Sequence, residues 1–488
     1  MKVAVAHHIS KYNYNRGFSP YHEYPEYPFD TLSLNNSSEK ETDTYDSYAA
    51  VRDVFVRLGM DIENYGTKLW NPLGDLIKPR EEVLLKPNLV LHKNLAGLGI
   101  EQMVTHGSLI RAALDYCFVA LNSKGTVIIA DSPVQSCNFR KAIQISGINQ
   151  ILDFYAEYSD LEVNLLDLRA SKFEPRTVGA SKGRRLPGDE RGYTLIDLND
   201  ASEHSDLVGG FERLRVVNYE KEVMLEHHHK GKHEYEMPNT VLDADVILNL
   251  PKLKTHRIAG MTCGLKNSIG ACGSKACLPH YRKGSCGESG DEYPTNSARK
   301  RLISRLNEEI NDSRGVVSLN VLGMLTLFAG LMLRMYPLLN PNLSGQWHGN
   351  DTIASTIVDV NKILFYADKS GVLQNRVQRK MLVLVDGVVA GQGEGPLLPQ
   401  RADCGVIVGG CNPVAVDIVA AKMLGFDYEK IPTLTRALNS KKYKLFDGEL
   451  RELVIESEST VGIDEIHAQF CNKLEPPASW RGHIESST

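Results

Sequence analysis

Six short apolar runs constrain this chain more than any other feature: KVAVA (2–6), VLLKPNLV (83–90), TVIIAD (126–131), ADVILNL (244–250), MLVLVDG (381–387) and GVIVGG (405–410). They have too few polar positions to show one face to water, so each reads as a strand buried on both sides. Between them, residues 45–59 place Tyr48, Val51, Val54, Phe55 and Leu58 at helical spacing, and 107–121 repeat the pattern. A further helix is expected at 413–424, opened by Asn412 as cap and Pro413 in the first turn. Strands alternating with helices predict βαβ units and an α/β fold with mainly parallel sheets.

The chain has 488 residues, about two to three typical domains, which predicts two lobes with a cleft between them. Residues 1–170 would form an N-terminal lobe, with an aromatic-rich loop at 11–45 covering a site. Residues 171–240 read as an irregular insertion, 241–440 as a second lobe, and 441–488 as a C-terminal extension. Within the insertion, EHHHKGKHEYE (226–236) reads as an exposed edge strand on which His227 and His229 share a face.

A net charge of -5 gives no general attraction to nucleic acid, so any basic site must be local. The opening MKVAVAHH lacks the pattern of a secretory leader, and a cytoplasmic location is expected. Nine cysteines then read as reduced thiols or metal ligands. The uncharged run VVSLNVLGMLTLFAGLML (316–333) is expected to be helical, buried in the fold or lying against a membrane surface. Oligomeric state leaves no mark in the sequence.

Local basicity is pronounced. From Val246 to Gly287 there are seven Lys or Arg and no Asp or Glu, although 60 acidic residues in 488 would put about five in such a window. Lys252, Lys254 and His256 alternate, so in extended backbone they point one way and would converge on one anion. The next stretch, GMTCGLKNSIG (260–270), supplies Thr262, Lys266 and Asn267 among glycines that let backbone N–H groups approach an oxyanion at a helix start.

Other strand ends offer partners, at the edge where open α/β sheets bind ligands. Lys86 and Asn88 end one strand, Asp131 and Ser132 another, and Asp386 a third; Glu394 lies in a glycine-rich loop. Asp417 sits among Val416, Ile418 and Val419, where a buried carboxylate needs a partner, and a lysine of the basic segment would serve.

The blocks KPNLV, ADSP, ADVILNLPKLKTH, GLKNSIG, VDGVVAGQGEGPL and NPVAVDIVAAKMLG, in this order over roughly residues 83–430, resemble the signature blocks of the domain of unknown function 362 family. The resemblance implies a common α/β fold and no settled reaction. Some members add a ferredoxin-like module with C-x-x-C-x-x-C runs, and this sequence carries none.

The expected function is an enzyme acting on a small phosphorylated or carboxylated substrate in the inter-lobe cleft. Lys86, Asn88, Asp131, Ser132, Lys252, Lys254, Thr255, Thr262, Lys266 and Asn267 would bind it. His256 would be acid or base, while Asp386, Glu394 and Asp417 would handle protons or a divalent ion. Two alternatives stay open. Cys263, Cys272, Cys277 and Cys286, spaced Cys-x8-Cys-x4-Cys-x8-Cys, could hold zinc or an iron–sulfur cluster in a redox protein. A membrane-associated protein binding an anion or lipid headgroup, attached through 316–333, is the other.

Overall fold

A computed structural model describes residues 1–29, 45–174, 182–207, 209–216, 221–312, 343–466 and 473–486. Its centre is one eleven-stranded sheet. The strands are β1 (Lys2–Ala6), β2 (Glu82–Pro87), β3 (Thr126–Asp131), β4 (Glu162–Asp167), β5 (Val246–Leu250), β6 (Lys252–His256), β7 (Gly260–Thr262), β8 (Lys380–Glu394), β9 (Leu398–Gly410), β10 (Val454–Glu456) and β11 (Thr460–Gly462). Their order is β11-β10-β1-β9-β8-β5-β2-β3-β4, with β6 paired to the far half of β8 and β7 to β6. From β8 through β5, β2 and β3 to β4 every pairing is parallel, and β9 runs antiparallel between β8 and β1.

All six apolar runs fall in this sheet, and the alternation of side chains explains how each is buried twice. Val3, Val5, Leu84, Ile247, Val383 and Val408 pack on one face with the helices Thr352–Tyr366 and Pro413–Met423. Ala4, Ala6, Val83, Leu85, Val246, Leu248 and Leu384 pack on the other with Ser47–Arg57 and Gly107–Leu121. Helices therefore cover both faces, as strands without a polar side require. Asn412 caps the third expected helix, its Oδ1 accepting from Val414 N and Ala415 N at 3.0 Å each.

The division into two lobes with a cleft between them does not describe this sheet. Strands assigned to the N-terminal lobe sit between and beside those assigned to the second: β2 pairs with β5, and β1 with β9. The long return from β4 to β5 brings the chain back inside the sheet, which length alone could not reveal. The insertion is also more regular than expected. Tyr193–Asp197 pairs antiparallel with Lys232–Pro238, which pairs in turn with His228–His229. His227 ends a short helix and bonds Glu234 at 2.8 Å, so it does not share a strand face with His229.

The run 316–333 lies outside the described residues. Among the described residues, no helix is long and apolar enough to cross a membrane.

Candidate functional site

The parallel strands β2, β3, β5 and β8 end on the same edge of the sheet, and the basic segment folds across that edge. Between β5 and β6 the chain barely turns: Pro251 interrupts the strand, its carbonyl accepting from Asp386 N at 2.9 Å, and β6 continues along β8. Lys252, Lys254 and His256 are all buried here.

Their alternation does not make them converge on an open space. Lys252 Nζ lies 2.8 Å from Asp386 Oδ2, both side chains being 0% exposed. Lys252 Nζ also donates to Tyr12 Oη at 2.7 Å, Tyr12 Oη donates to Asp386 Oδ1 at 2.8 Å, and His106 N donates to Asp386 Oδ2 at 2.9 Å. Tyr12 stacks on the His106 ring at 3.9 Å between centroids. Burial is the chief cause that lowers Lys252, with Asp386 opposing it, and burial first and Asp386 second keep the Tyr12 phenol protonated. Tyr12 thus closes over Lys252 and Asp386, whose side chains are both out of contact with water.

Lys254 is matched differently. Its Nζ donates to Asn88 Oδ1 at 2.7 Å and to the Met103 carbonyl at 2.5 Å. Asn88 in turn donates to Asn267 Oδ1 at 2.8 Å, and Asn267 Nδ2 donates to Lys86 O at 3.1 Å and Asn249 Oδ1 at 2.8 Å. This chain of amides ties the ends of β2 and β5 to the short helix Gly264–Asn267. Lys86 is paired with Asp131 at 2.6 Å, and Asp131 Oδ2 accepts from Leu89 N at 2.8 Å. Gly270 is required beside this pair, since a Cβ there would stand 2.3 Å from Asp131 Oδ1 and 2.5 Å from Lys86 Nζ. Thr255, on the opposite face of β6, donates to Gly393 O at 2.8 Å and stays apart from the basic cluster.

Lys266 is the exception. Among the described residues its ammonium has no ion pair and no hydrogen bond, although the side chain is partly buried. Burial first, then the like charges of Lys275 and Lys86, push it down to about 7. Lys275, whose Nζ donates to Ile269 O at 2.6 Å, is pushed by burial to about 8. Two buried hydroxyls in this region, Ser132 Oγ and Thr262 Oγ1, have no partner among the described residues. Ser132 is held by its N–H on Gly270 O at 2.7 Å, and Thr262 stands opposite Lys254 in the β6–β7 pairing, on the same face.

Two histidines complete the cluster, and their tautomers follow from their partners. His256 Nδ1 accepts from Ile258 N at 3.1 Å and Ala259 N at 3.2 Å. Backbone N–H groups only donate, so the proton of the neutral ring sits on Nε2. Burial, then Lys266 and Lys254, keep His256 well below the usual range. His280 Nδ1 lies 2.6 Å from the Leu278 carbonyl, which only accepts, so here Nδ1 carries the proton and Nε2 the lone pair. Burial, together with Lys266 and Lys275 and against the Leu278 carbonyl, holds His280 at about 4. His256 is thereby a donor at Nε2 and His280 an acceptor at Nε2, and of the expected roles of acid or base for His256 this geometry leaves no free lone pair for the base.

The three carboxylates are all engaged within the protein. Asp386 holds Lys252; Glu394 Oε2 lies 2.5 Å from Arg257 Nε, and its Oε1 accepts from Ala478 N at 2.8 Å. Among the described residues Asp417 has no lysine partner. It accepts from Gly264 N at 2.7 Å and Leu265 N at 3.0 Å and so caps the helix that carries Lys266. Burial pushes it up to about 7. Replacing Asp417 by Ala should cost about 2–6 kcal/mol, since two buried N–H groups lose their acceptor at roughly 1–3 each. Urea denaturation at neutral pH checks this.

The four cysteines are not brought together. Cys263 is turned to Asp417, Cys272 Sγ lies 3.7 Å from Met237 Sδ, Cys277 Sγ lies 3.7 Å from Ser274 Oγ, and Cys286 is exposed. Burial keeps Cys272 protonated, up to about 11, and Cys277 up to about 12. Among the described residues no metal-holding group includes them, because short separations in sequence are spent on a strand end, a helical turn and a loop pointing different ways.

Lys275, His280, Tyr12 and His106 were missed as site residues. The first two lie inside the acid-free window, which was the available signal; Tyr12 and His106 carried none.

The model of the family described as Domain of unknown function (DUF362) matches residues 195–422. That span includes Lys252 through Asp417 and leaves Lys86, Asn88, Asp131 and Ser132 outside it. No curated protein matches the chain. Among solved structures, the crystal structure of a Thermotoga maritima protein from a structural-genomics programme aligns at 12% identity with a TM-score of 0.28. The alignment covers 69% of this chain and 53% of that one, so the chain spans about half that protein's length, and so loose a likeness carries no argument.

Proposed function

We propose that this protein, whose residues 195–422 match the DUF362 family, is an enzyme that holds a small phosphorylated or carboxylated substrate by its anionic group against Lys266. One observation carries the reading. Lys86, Lys252, Lys254 and Lys275 each have acceptors within the protein, while the Lys266 ammonium, among the described residues, has none. A partly buried cation beside other cations is costly, and an incoming anion removes that cost. The unpartnered hydroxyls of Ser132 and Thr262 are candidates for further contacts.

Proton transfer then belongs to the histidines. His280 Nε2 is the base, and His256 Nε2–H donates to charge that develops on the substrate. Asp417 caps the helix that carries Lys266, while Asp386 pairs with Lys252 and Glu394 with Arg257. The redox alternative loses its ligand set with the dispersal of the cysteines.

Sulfate binding measured by calorimetry across pH 6 to 9 tests the reading, because sulfate keeps its charge over that range. A bound anion raises the Lys266 pKa above its free value of about 7. Affinity should therefore be full below about pH 7 and fall by up to tenfold per unit above it, until the pKa of the complex is passed. Lys275 at about 8 and Asp417 at about 7 titrate nearby with the same sign. Lys266→Arg, charged throughout, isolates position 266: it should bind sulfate with a visibly flatter pH profile. A flat profile in the unaltered protein would contradict the proposal.

A further inference from the structure

A second constellation lies on the same edge of the sheet, at β1 and β10, and uses none of the residues above. These two strands are parallel neighbours in register, Ala4 opposite Glu456. Two to four residues beyond that pair, the chain leaves β1 as His7-His8 and leaves β10 as the turn that holds Glu458. His8 is in the left-handed region, at φ 63°, which folds its ring back beside that of His7 with 4.2 Å between centroids.

From this geometry we infer that His7, His8 and Glu458 form a binding site for a divalent transition-metal ion of the Zn2+ type. One donor atom from each residue lies within 4.8 Å of the other two. The His7 Nε2 to Glu458 Oε1 separation is 3.6 Å. Ligand bonds of roughly 2.0–2.2 Å put tetrahedral donors about 3.4 Å apart, so only small rotations of the exposed His8 and Glu458 side chains are needed. Two imidazoles and one carboxylate leave one position of a tetrahedral ion open.

The surroundings suit an open position. The three residues line a solvent-connected cavity of about 520 Å³, together with Tyr45, Asp53 and Arg57. That is room for water or a small anion as fourth ligand. Asp53 is already committed, accepting from Tyr45 Oη at 2.8 Å and Arg57 Nε at 2.7 Å, so it braces the wall and leaves coordination to the three residues.

The test uses the full-length protein stripped with chelator and exchanged into metal-free buffer. Co2+ added in steps should bind at one ion per chain with the intense visible absorption of tetrahedral coordination, and Zn2+ should displace it. Single variants His8→Ala and Glu458→Gln should each weaken binding by at least about tenfold, more than the loss of an outer-shell partner alone at its mildest. Both side chains are exposed, so the metal-free variants should melt with the unaltered protein. Absence of stoichiometric Co2+ binding would overturn the inference, as would equal affinity in the double variant.

Discussion

Replacing Asp386 by Ala should destabilise the protein by about 3–5 kcal/mol, the cost of stranding one member of a buried ion pair. Lys252 and Asp386 are both sealed from water, and Asp386 also accepts from Tyr12 Oη and His106 N. Removing the carboxylate leaves a buried ammonium whose remaining partner is a phenol, and a backbone N–H with no acceptor. Domains are stable by about 5–15 kcal/mol, so the loss is a large fraction of the total. The pair need not be worth that much in itself. In the double variant Lys252→Met/Asp386→Leu neither charge remains, and most of the loss should return. Chemical denaturation of the single and double variants checks both statements; a single variant within 1 kcal/mol of the unaltered protein would mean water reaches Lys252.

Lys266→Met is expected to act in the opposite sense on stability and on binding. Hydrogen bonds to charged groups are worth about 1.5–3 kcal/mol, so sulfate affinity should fall by about 10- to 150-fold. Folding stability should stay level or rise, because the variant removes a partly buried charge that has no counter-ion among the described residues. A purely structural lysine would lose both together. Calorimetry and urea denaturation on the same samples separate the two cases.

Much of this architecture was legible because it rests on local pattern. The six apolar runs specify strands buried on both faces, and the spacing of Val51, Val54 and Phe55 specifies a helix face, whatever lies elsewhere in the chain. The concentration of lysines at one sheet edge was legible for the same reason, as a compositional fact about 42 consecutive residues. Long-range choices were not. Nothing around Tyr12 says that its hydroxyl will bridge Lys252 and Asp386, 240 and 374 residues away. Nor does the alternation of Lys252 with Lys254 reveal that each is consumed by a partner from another strand or loop, while Lys266 has no ion pair or hydrogen bond among the described residues. The apolar neighbours of Asp417 imply that it needs a partner, but backbone N–H groups satisfy a carboxylate as well as a lysine does, and sequence cannot distinguish them. The single sheet was hidden because strand order is set by the return path from β4 to β5, which crosses a long segment of weak pattern.

The reactivity of Lys266 reports directly whether it is an amine without a partner among the described residues that an anion can reach. The rate of acetylation at Lys266, followed by mass spectrometry of the digested protein over a pH series with and without sulfate, gives the apparent pKa of that amine alone. The expected value is about 7 without sulfate, far below an ordinary lysine, with a shift upward and slower acetylation when sulfate is present. An ordinary lysine pKa, or a profile that sulfate leaves unchanged, would contradict it.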